Sequence, residues 1–505
     1  MDNIDPSSTK TSHTELPHIT LVETANTASG PVVLVGLGLH AKRIYIHFLK
    51  KRHSLPKLII ELESNAAATQ SYLDTHNIAA ELFLVPDSER DNTELSVVTR
   101  DALKKAVADY GIRKAIISTE PKSHLAYASF FLEQDIDVLI DKPISAPVGA
   151  SSDREAAHRI YEDYQKLYQL AQKAPTAQCI VQSQRRYHAG YLKVRELVSS
   201  VIQQYGVPMT HLYVYHSDGL WSMPNEYGER ENHPYKYGYG KLMHSGYHFV
   251  DLFCWLTELN NNLPLKKPNE LELFHQICEP NDCLFQINQQ DYARLFPANT
   301  LNPFFEKHNE TDYQNFGEVD SYTQLQLRRD GKTVLTGALH LLQNGFSRRS
   351  WQALPQDTYK SNGRVRHEQI TLHVGPLMSI QIHSYESHEV ADPNRITPST
   401  EVGGLDHFEI LVFRNVAMIG GEPFERILVT QDSRDNADYI GHNEEARQKC
   451  LEDFMKSEKS KKPSESSIER HNATNWLLSQ IHRASCQKRQ GETPVITISL
   501  PEFSN

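Results

Sequence analysis

Short apolar runs alternate with helical stretches at a nearly constant pitch between residues 32 and 182, and this constrains the fold more than any other feature. Val32-Val33-Leu34-Val35 reads as a buried strand, and further strands are expected at 58–60, 82–85, 115–117 and 138–140. Helices are expected between them at 41–51, 66–75, 101–110 and 124–134. A longer helix at 153–173 leads to a sixth strand at 179–182. Strands this short and apolar are buried on both faces, and helices between them imply parallel pairing through right-handed crossovers. The expectation is a doubly wound α/β domain over residues 31–185, preceded by a flexible leader at 1–30 rich in Ser, Thr, Asn and Asp.

The second half changes period. Alternating runs at 209–216, 322–327, 334–342, 370–374, 378–383 and 426–430 predict a large, mostly antiparallel sheet, with a turn at Asp330-Gly331. Helices are expected at 444–458 and 468–483, and a last strand at 495–500. Residues 186–505 thus read as an α+β substrate and oligomerisation domain, with a turn-rich insertion at about 260–311.

Gly36-x-Gly38-x-x-Ala41 lies between the first strand and its helix. There the first glycine permits a tight turn, the second lets backbone approach a pyrophosphate, and the helix N-terminus faces the phosphates. Gly36, Gly38, Leu39 and His40 are therefore candidate cofactor contacts in a Rossmann-type domain. An acid that binds ribose hydroxyls belongs at the end of the second strand, where Glu61 and Glu63 both stand. Glu63 is preferred, being followed by the loop-like Ser64-Asn65. A carboxylate there repels a 2′-phosphate, so NAD is expected over NADP, with NADP possible.

Two loops follow strands four and five: Ser118-Thr119-Glu120-Pro121-Lys122-Ser123-His124 and Asp141-Lys142-Pro143. Ligands of open α/β sheets bind at such carboxyl ends. With Gln184-Arg185-Arg186-Tyr187 and the run Gly238 to Asp251, containing Gly246-Tyr247-His248 and Asp251, the chain resembles the Gfo/Idh/MocA oxidoreductases over residues 30–256. Asp141 stands where that family has Glu, and Glu120 separates Thr119 from Pro121.

The resemblance implies that His248 is the general acid/base and Lys142 the residue that positions substrate oxygen and nicotinamide. It places Thr119, Pro121, His124 and Asp141 at the cofactor, with packing or capping the commoner role for a His at a helix start like His124. It also implies an oligomer, a dimer or tetramer. The chemistry agrees: hydride removal from an alcohol carbon needs a base for the hydroxyl proton and a cation beside its oxygen. His244 departs from the family, which has Asp there; read on one helix, i and i+4 share a face with His248. His244, Tyr247 and Arg186 are candidate substrate contacts, as are Trp221 and Tyr235 from the aromatic, polar stretch 218–239, which suits a carbohydrate-like ligand. His244, His248 and Asp251 also have metal-ligand spacing, but no Glu follows His244 and the resembled family does not generally use a metal, so none is expected.

The expected activity is NAD(P)-dependent hydride transfer with a sugar-like, nucleotide-sugar or cyclitol alcohol or ketone, or a related imine. Two rivals remain: a regulatory protein that binds dinucleotide and ligand without turnover, and a glycosidase or lyase that recycles NAD. A net charge of −11 over 505 residues argues against nucleic-acid and membrane-surface partners. No signal peptide is read, and six cysteines are too few for a disulfide framework. Cys278 and Cys283 are the closest pair, wrongly spaced for a zinc knuckle. A reduced, cytoplasmic protein is expected.

Overall fold

The computed structural model describes residues 30–231, 233–296, 313–350, 363–387, 399–404, 406–429, 441–456 and 463–501. The expected leader, apart from its last residue, and residues 297–311 of the expected insertion lie outside them. Among the described residues the strands form two sheets. The first holds β1 (Val32–Val35), β2 (Leu58–Leu62), β3 (Glu81–Val85), β4 (Lys114–Ile117), β5 (Asp137–Ile140) and β6 (Cys179–Val181), all parallel, in the order β3-β2-β1-β4-β5-β6. Val33, Ile59, Ile116 and Leu139 are fully buried, as two covered faces require. The strand order reverses between β1 and β4, which opens a crevice at their carboxyl ends.

The second sheet runs β14-β13-β12-β11-β7-β10-β9-β8-β15. Its strands are β7 (His211–Ser217), β8 (Glu270–Cys278), β9 (Asp320–Arg329), β10 (Lys332–Leu342), β11 (Val365–Val374), β12 (Met378–Ser387), β13 (His407–Arg414), β14 (Phe424–Leu428) and β15 (Val495–Ser499). Only β7 and β10 pair in parallel among these neighbours. Asp330 and Gly331 both have positive φ, 49° and 75°, as the predicted β9–β10 hairpin turn requires. One face carries Leu212, Val214, Leu339, Ile370 and Ile380 into the core. Two strands differ from expectation. Glu270–Cys278, read as part of an insertion, is a nine-residue strand central enough to pair with both β9 and β15. His407–Arg414 is also a strand, paired with β12 and β14.

A boundary at residue 185 does not describe the packing completely. The helix His442–Lys456 returns to the first sheet, where Cys450, Leu451 and Phe454 pack with Leu34, Ile59 and Ile116. Ser467 then bridges to Ile180 of β6. The amphipathic helix Arg154–Lys173, started by Asp153 accepting from the Glu155 N–H, buries Ala157, Ile160, Tyr164 and Leu167. Among the described residues, no helix is long and apolar enough to cross a membrane.

Candidate active site

A cavity of about 610 Å³ lies at the carboxyl ends of the parallel strands and extends to the second sheet. Its first half is built by backbone. Gly36 has φ +84°, and a Cβ there would stand 2.7 Å from the Ser118 carbonyl oxygen, so only glycine fits. A Cβ on Gly38 would meet nothing within 4 Å. Gly38 is also the N-cap of a helix starting at Leu39, and no side chain caps it. Gly36, Gly38, Leu39 and His40 all line the cavity, leaving an open cradle at a helix N-terminus that suits a pyrophosphate.

Of the two candidate ribose acids, the one that lines the cavity is Glu61, not the preferred Glu63. Glu61 lines the cavity, its carboxylate accepting from Leu37 N at 2.9 Å and Asn65 Nδ2 at 3.0 Å. Glu63 begins the exposed turn Glu63–Asn65 and is outside the lining: alternation would put it on the face of Glu61, but β2 ends at Leu62 and the chain turns away there.

Thr119, Pro121, Asp141 and Lys142 line the cavity from the loops after β4 and β5. Asp141 accepts from Ser118 Oγ at 2.8 Å and from the Tyr45 hydroxyl. Lys142 Nζ donates to the His244 carbonyl at 2.9 Å. Burial lowers the Lys142 ammonium to about 8, with Arg447 and Arg185 adding to the effect and Asp141 opposing it. His124 is fully buried and outside the lining. Its ring lies between the Pro143 carbonyl (2.8 Å) and the Thr119 carbonyl (3.1 Å), tying the two loops together.

The second half is built by side chains from distant segments. His248 sits in the helix Tyr247–Thr257, lines the cavity and has a buried Nδ1 without a partner. His244 also lines the cavity, but not from that helix: residues 241–246 are turns, so the shared-face reading does not apply. Its ring stacks on His233 at 4.7 Å, and neither ring nitrogen has a partner. Burial first, and Lys142 second, hold both imidazoles well below their usual range, so both are neutral near pH 7.

Four residues expected at the substrate lie elsewhere. Arg186 is buried in a two-pronged pair with Asp251 (2.7 and 2.9 Å), which also accepts from Ser183 and Thr474 and faces His471 at 3.1 Å. Asp251 is thereby a structural acid joining the two halves of the fold. Tyr247 turns its hydroxyl to His471. Trp221 stacks on Tyr292 and Phe296. Tyr235 packs with Tyr227 and Tyr313 and meets His244 only by its ring edge.

In their place the lining holds Asp218, Arg230 and His233, from the stretch 218–239 read as suited to a ligand, and Arg185, His216, Gln343, Arg364 and Arg366, which sequence reasoning did not single out as substrate contacts; Arg447 lines the cavity as well. Among the latter, Arg185 had a local signal, since it adjoins Arg186 in the matched motif. Behind this wall, fully buried Lys241 donates to Asp218 at 2.7 Å and to Ser245 at 2.9 Å, and meets His216 Nδ1 at 3.0 Å. The Lys241 ammonium holds Asp218 well below the usual carboxylate range against the opposing effect of burial. Among the described residues, no cluster of three or more His, Cys, Asp or Glu is arranged to hold a metal.

The sequence matches no protein-family model, and no curated protein matches it. Solved structures match in fold. The WlbA dehydrogenase from Bordetella pertussis, solved with NADH and UDP-GlcNAcA, is 15% identical at a TM-score of 0.50, covering 94% of this chain and 98% of its own. An oxidoreductase from Agrobacterium radiobacter, solved with NAD+, L-tartaric acid and magnesium, is 11% identical at a TM-score of 0.53, covering 94% and 98%. A levoglucosan dehydrogenase in complex with NADH is 13% identical at a TM-score of 0.52, covering 94% and 99%. The fold expected from the resemblance to the Gfo/Idh/MocA oxidoreductases, a parallel six-stranded sheet with a large, mostly antiparallel second sheet, is the fold observed.

Proposed function

We propose that the protein is an NAD-dependent oxidoreductase acting on a CH–OH group of a sugar-like substrate. One observation carries this reading: Lys142, after the fifth parallel strand, and neutral His248, from the second half of the chain, open into the same cavity as the glycine turn. Gly36, Gly38 and the Leu39 end of the helix would hold the pyrophosphate, Glu61 the adenosine ribose, and Asp141 and Lys142 the nicotinamide end. NAD held there would supply the hydride acceptor. His248 takes the hydroxyl proton, which its neutral imidazole can do at pH 7. The Lys142 ammonium stabilises the negative charge that develops on the oxygen.

Arg185, Arg230, Arg364 and Arg366 line the substrate half, Arg185 already pairing with Glu368 and Arg366 with Glu386 and Asp218, and this density of cations favours a substrate that also carries a carboxylate or phosphate. Acids of the kind solved in the fold neighbours, UDP-GlcNAcA and L-tartaric acid, fit that demand. The six free cysteines suit a reducing, cytoplasmic compartment. The open face of the second sheet, with Tyr213, Tyr215, Tyr322, His340 and Tyr385 half-buried, is our candidate for pairing with a second copy of the chain.

The test is NADH formation over a panel of neutral, carboxylated and phosphorylated sugars and cyclitols. Acidic members should be turned over. Lys142→Ala and His248→Ala should each lower turnover by ~10²–10⁴ while NADH affinity stays within a few-fold. Undiminished turnover in both variants would refute the assignment. The histidine at position 244, where the resembled family has Asp, supports one second reading, a ligand-responsive regulatory protein. No turnover, with a sugar acid raising the melting temperature only when NAD is present, would favour it.

A further inference from the structure

Cys278 closes β8, and Cys283 lies in the helix Pro280–Gln286 that follows at once. Between them the chain makes one turn fixed by a reciprocal cap. Glu279 N donates to Asp282 Oδ2 at 2.8 Å, and Cys283 N donates to the Glu279 carbonyl at 3.2 Å. The Glu279 carboxylate is held in turn by Arg489 at 2.7 Å, and Val319 N holds the Cys278 carbonyl at 2.8 Å. This turn brings the two sulfurs to 3.7 Å. A disulfide needs about 2.05 Å, a closure of under 2 Å that rotation about the side-chain bonds supplies in large part.

We propose that Cys278 and Cys283 are a modification site at which a hydroperoxide forms a reversible disulfide. Cys283 is the attacking sulfur. It is buried, yet three donors converge on it: the Cys278 thiol, the Tyr227 hydroxyl and Asn344 Nδ2 at 3.1 Å. These hydrogen bonds, that from Cys278 first, lower the Cys283 thiol below its usual range, while the same hydrogen bond and burial raise Cys278. Cys278 is half-buried and gives the oxidant its approach. The other four cysteines, Cys179, Cys254, Cys450 and Cys486, are buried, and burial raises each of their thiols.

In the first step the Cys283 thiolate attacks one oxygen of hydrogen peroxide. The O–O bond breaks, the sulfur becomes a sulfenic acid, and the departing hydroxide takes a proton to become water. Cys278 sulfur then attacks the sulfenic sulfur. The S–O bond breaks, and the hydroxyl leaves with the Cys278 proton as a second water. Two thiols lose two electrons to one peroxide. The pair stands next to the substrate half of the cavity. Asn344, which donates to Cys283, follows the cavity residue Gln343, and both backbone N–H groups bind Asp320 Oδ1.

The experiment treats the full-length protein with a small excess of hydrogen peroxide, alkylates the remaining thiols after denaturation, and maps peptides by mass spectrometry. The expected result is a single linkage, Cys278 to Cys283, with the other four cysteines alkylated and the linkage removed by dithiothreitol. Cys278→Ser should halt the reaction at a sulfenic acid on Cys283, which dimedone captures. Oxidation of Cys278 to sulfinic or sulfonic acid without a linkage, or full alkylation of both, overturns the proposal. The wild-type map decides the matter even where the variant fails to fold.

Discussion

The two halves of the cavity are made differently. The cofactor half is mostly main chain: a glycine turn, a helix end and loops leaving buried strands, with Glu61 held against the turn by Leu37 N. The substrate half is mostly side chain: His216 and Asp218 from the end of β7, Arg364 and Arg366 from the start of β11, and His244 from turns before a helix. The first tolerates little at a few glycine positions. The second is free to change its ligand by side-chain replacement, because its wall is braced by buried partners behind it, such as Lys241 on Asp218 and Glu368 on Arg185.

The sharpest way to break this contrast is Gly36→Val. A side chain there meets the Ser118 carbonyl and demands φ +84° of a β-branched residue. NADH binding, read by fluorescence titration, should be lost outright. Retained binding would show that the turn does not shape the cofactor half.

Arg186→Ala comes next. It leaves Asp251 buried without its main cation, a loss of about 3–5 kcal/mol in urea unfolding. NADH affinity of the folded fraction should stay unchanged, since Arg186 lines neither half. A selective loss of substrate affinity without loss of stability would return Arg186 to the site.

The substrate half also has a pH signature. Burial keeps His216, His244 and His248 neutral in the folded chain, while unfolded imidazoles bind protons below about pH 6.5. The unfolded state therefore gains protons as pH falls, and folded stability declines by about 1 kcal/mol per histidine over the first pH unit below 6.5. Melting temperature against pH checks this, and His244→Asn should flatten part of the slope.

These contrasts explain what could be read from sequence. The glycine turn and the Asp141-Lys142 loop were legible because each follows a short buried strand whose carboxyl end fixes its place. Asp218 and Arg366 come together only because β7 pairs antiparallel with β11, His367 opposite Ser217, and one sequence does not reveal that register. Arg186 and Tyr247 were misplaced for a related reason: motif proximity does not say which way a side chain turns, and Asp251 and His471 draw both away. β8 did carry a signal, with Leu271, Leu273 and His275 buried on one face of an alternating run, but it was masked by the turn-rich sequence after it.

A smaller effect separates the two acids of β2. Glu61→Gln should reduce the preference for NADH over NADPH about tenfold, roughly 1.4 kcal/mol, and Glu63→Gln should leave it unchanged. Paired titrations with the two cofactors measure this directly, and the reverse result would restore Glu63.

The measurement that bears most directly on the two-part cavity is a crystal structure with NADH bound. The adenosine ribose should lie at Glu61, the pyrophosphate over Gly36 to His40, and the nicotinamide beside Lys142, leaving His244, His248 and the arginines facing the space beyond. A dinucleotide bound elsewhere, or a nicotinamide ring seated among Arg364 and Arg366 instead of against Asp141 and Lys142, would contradict the division.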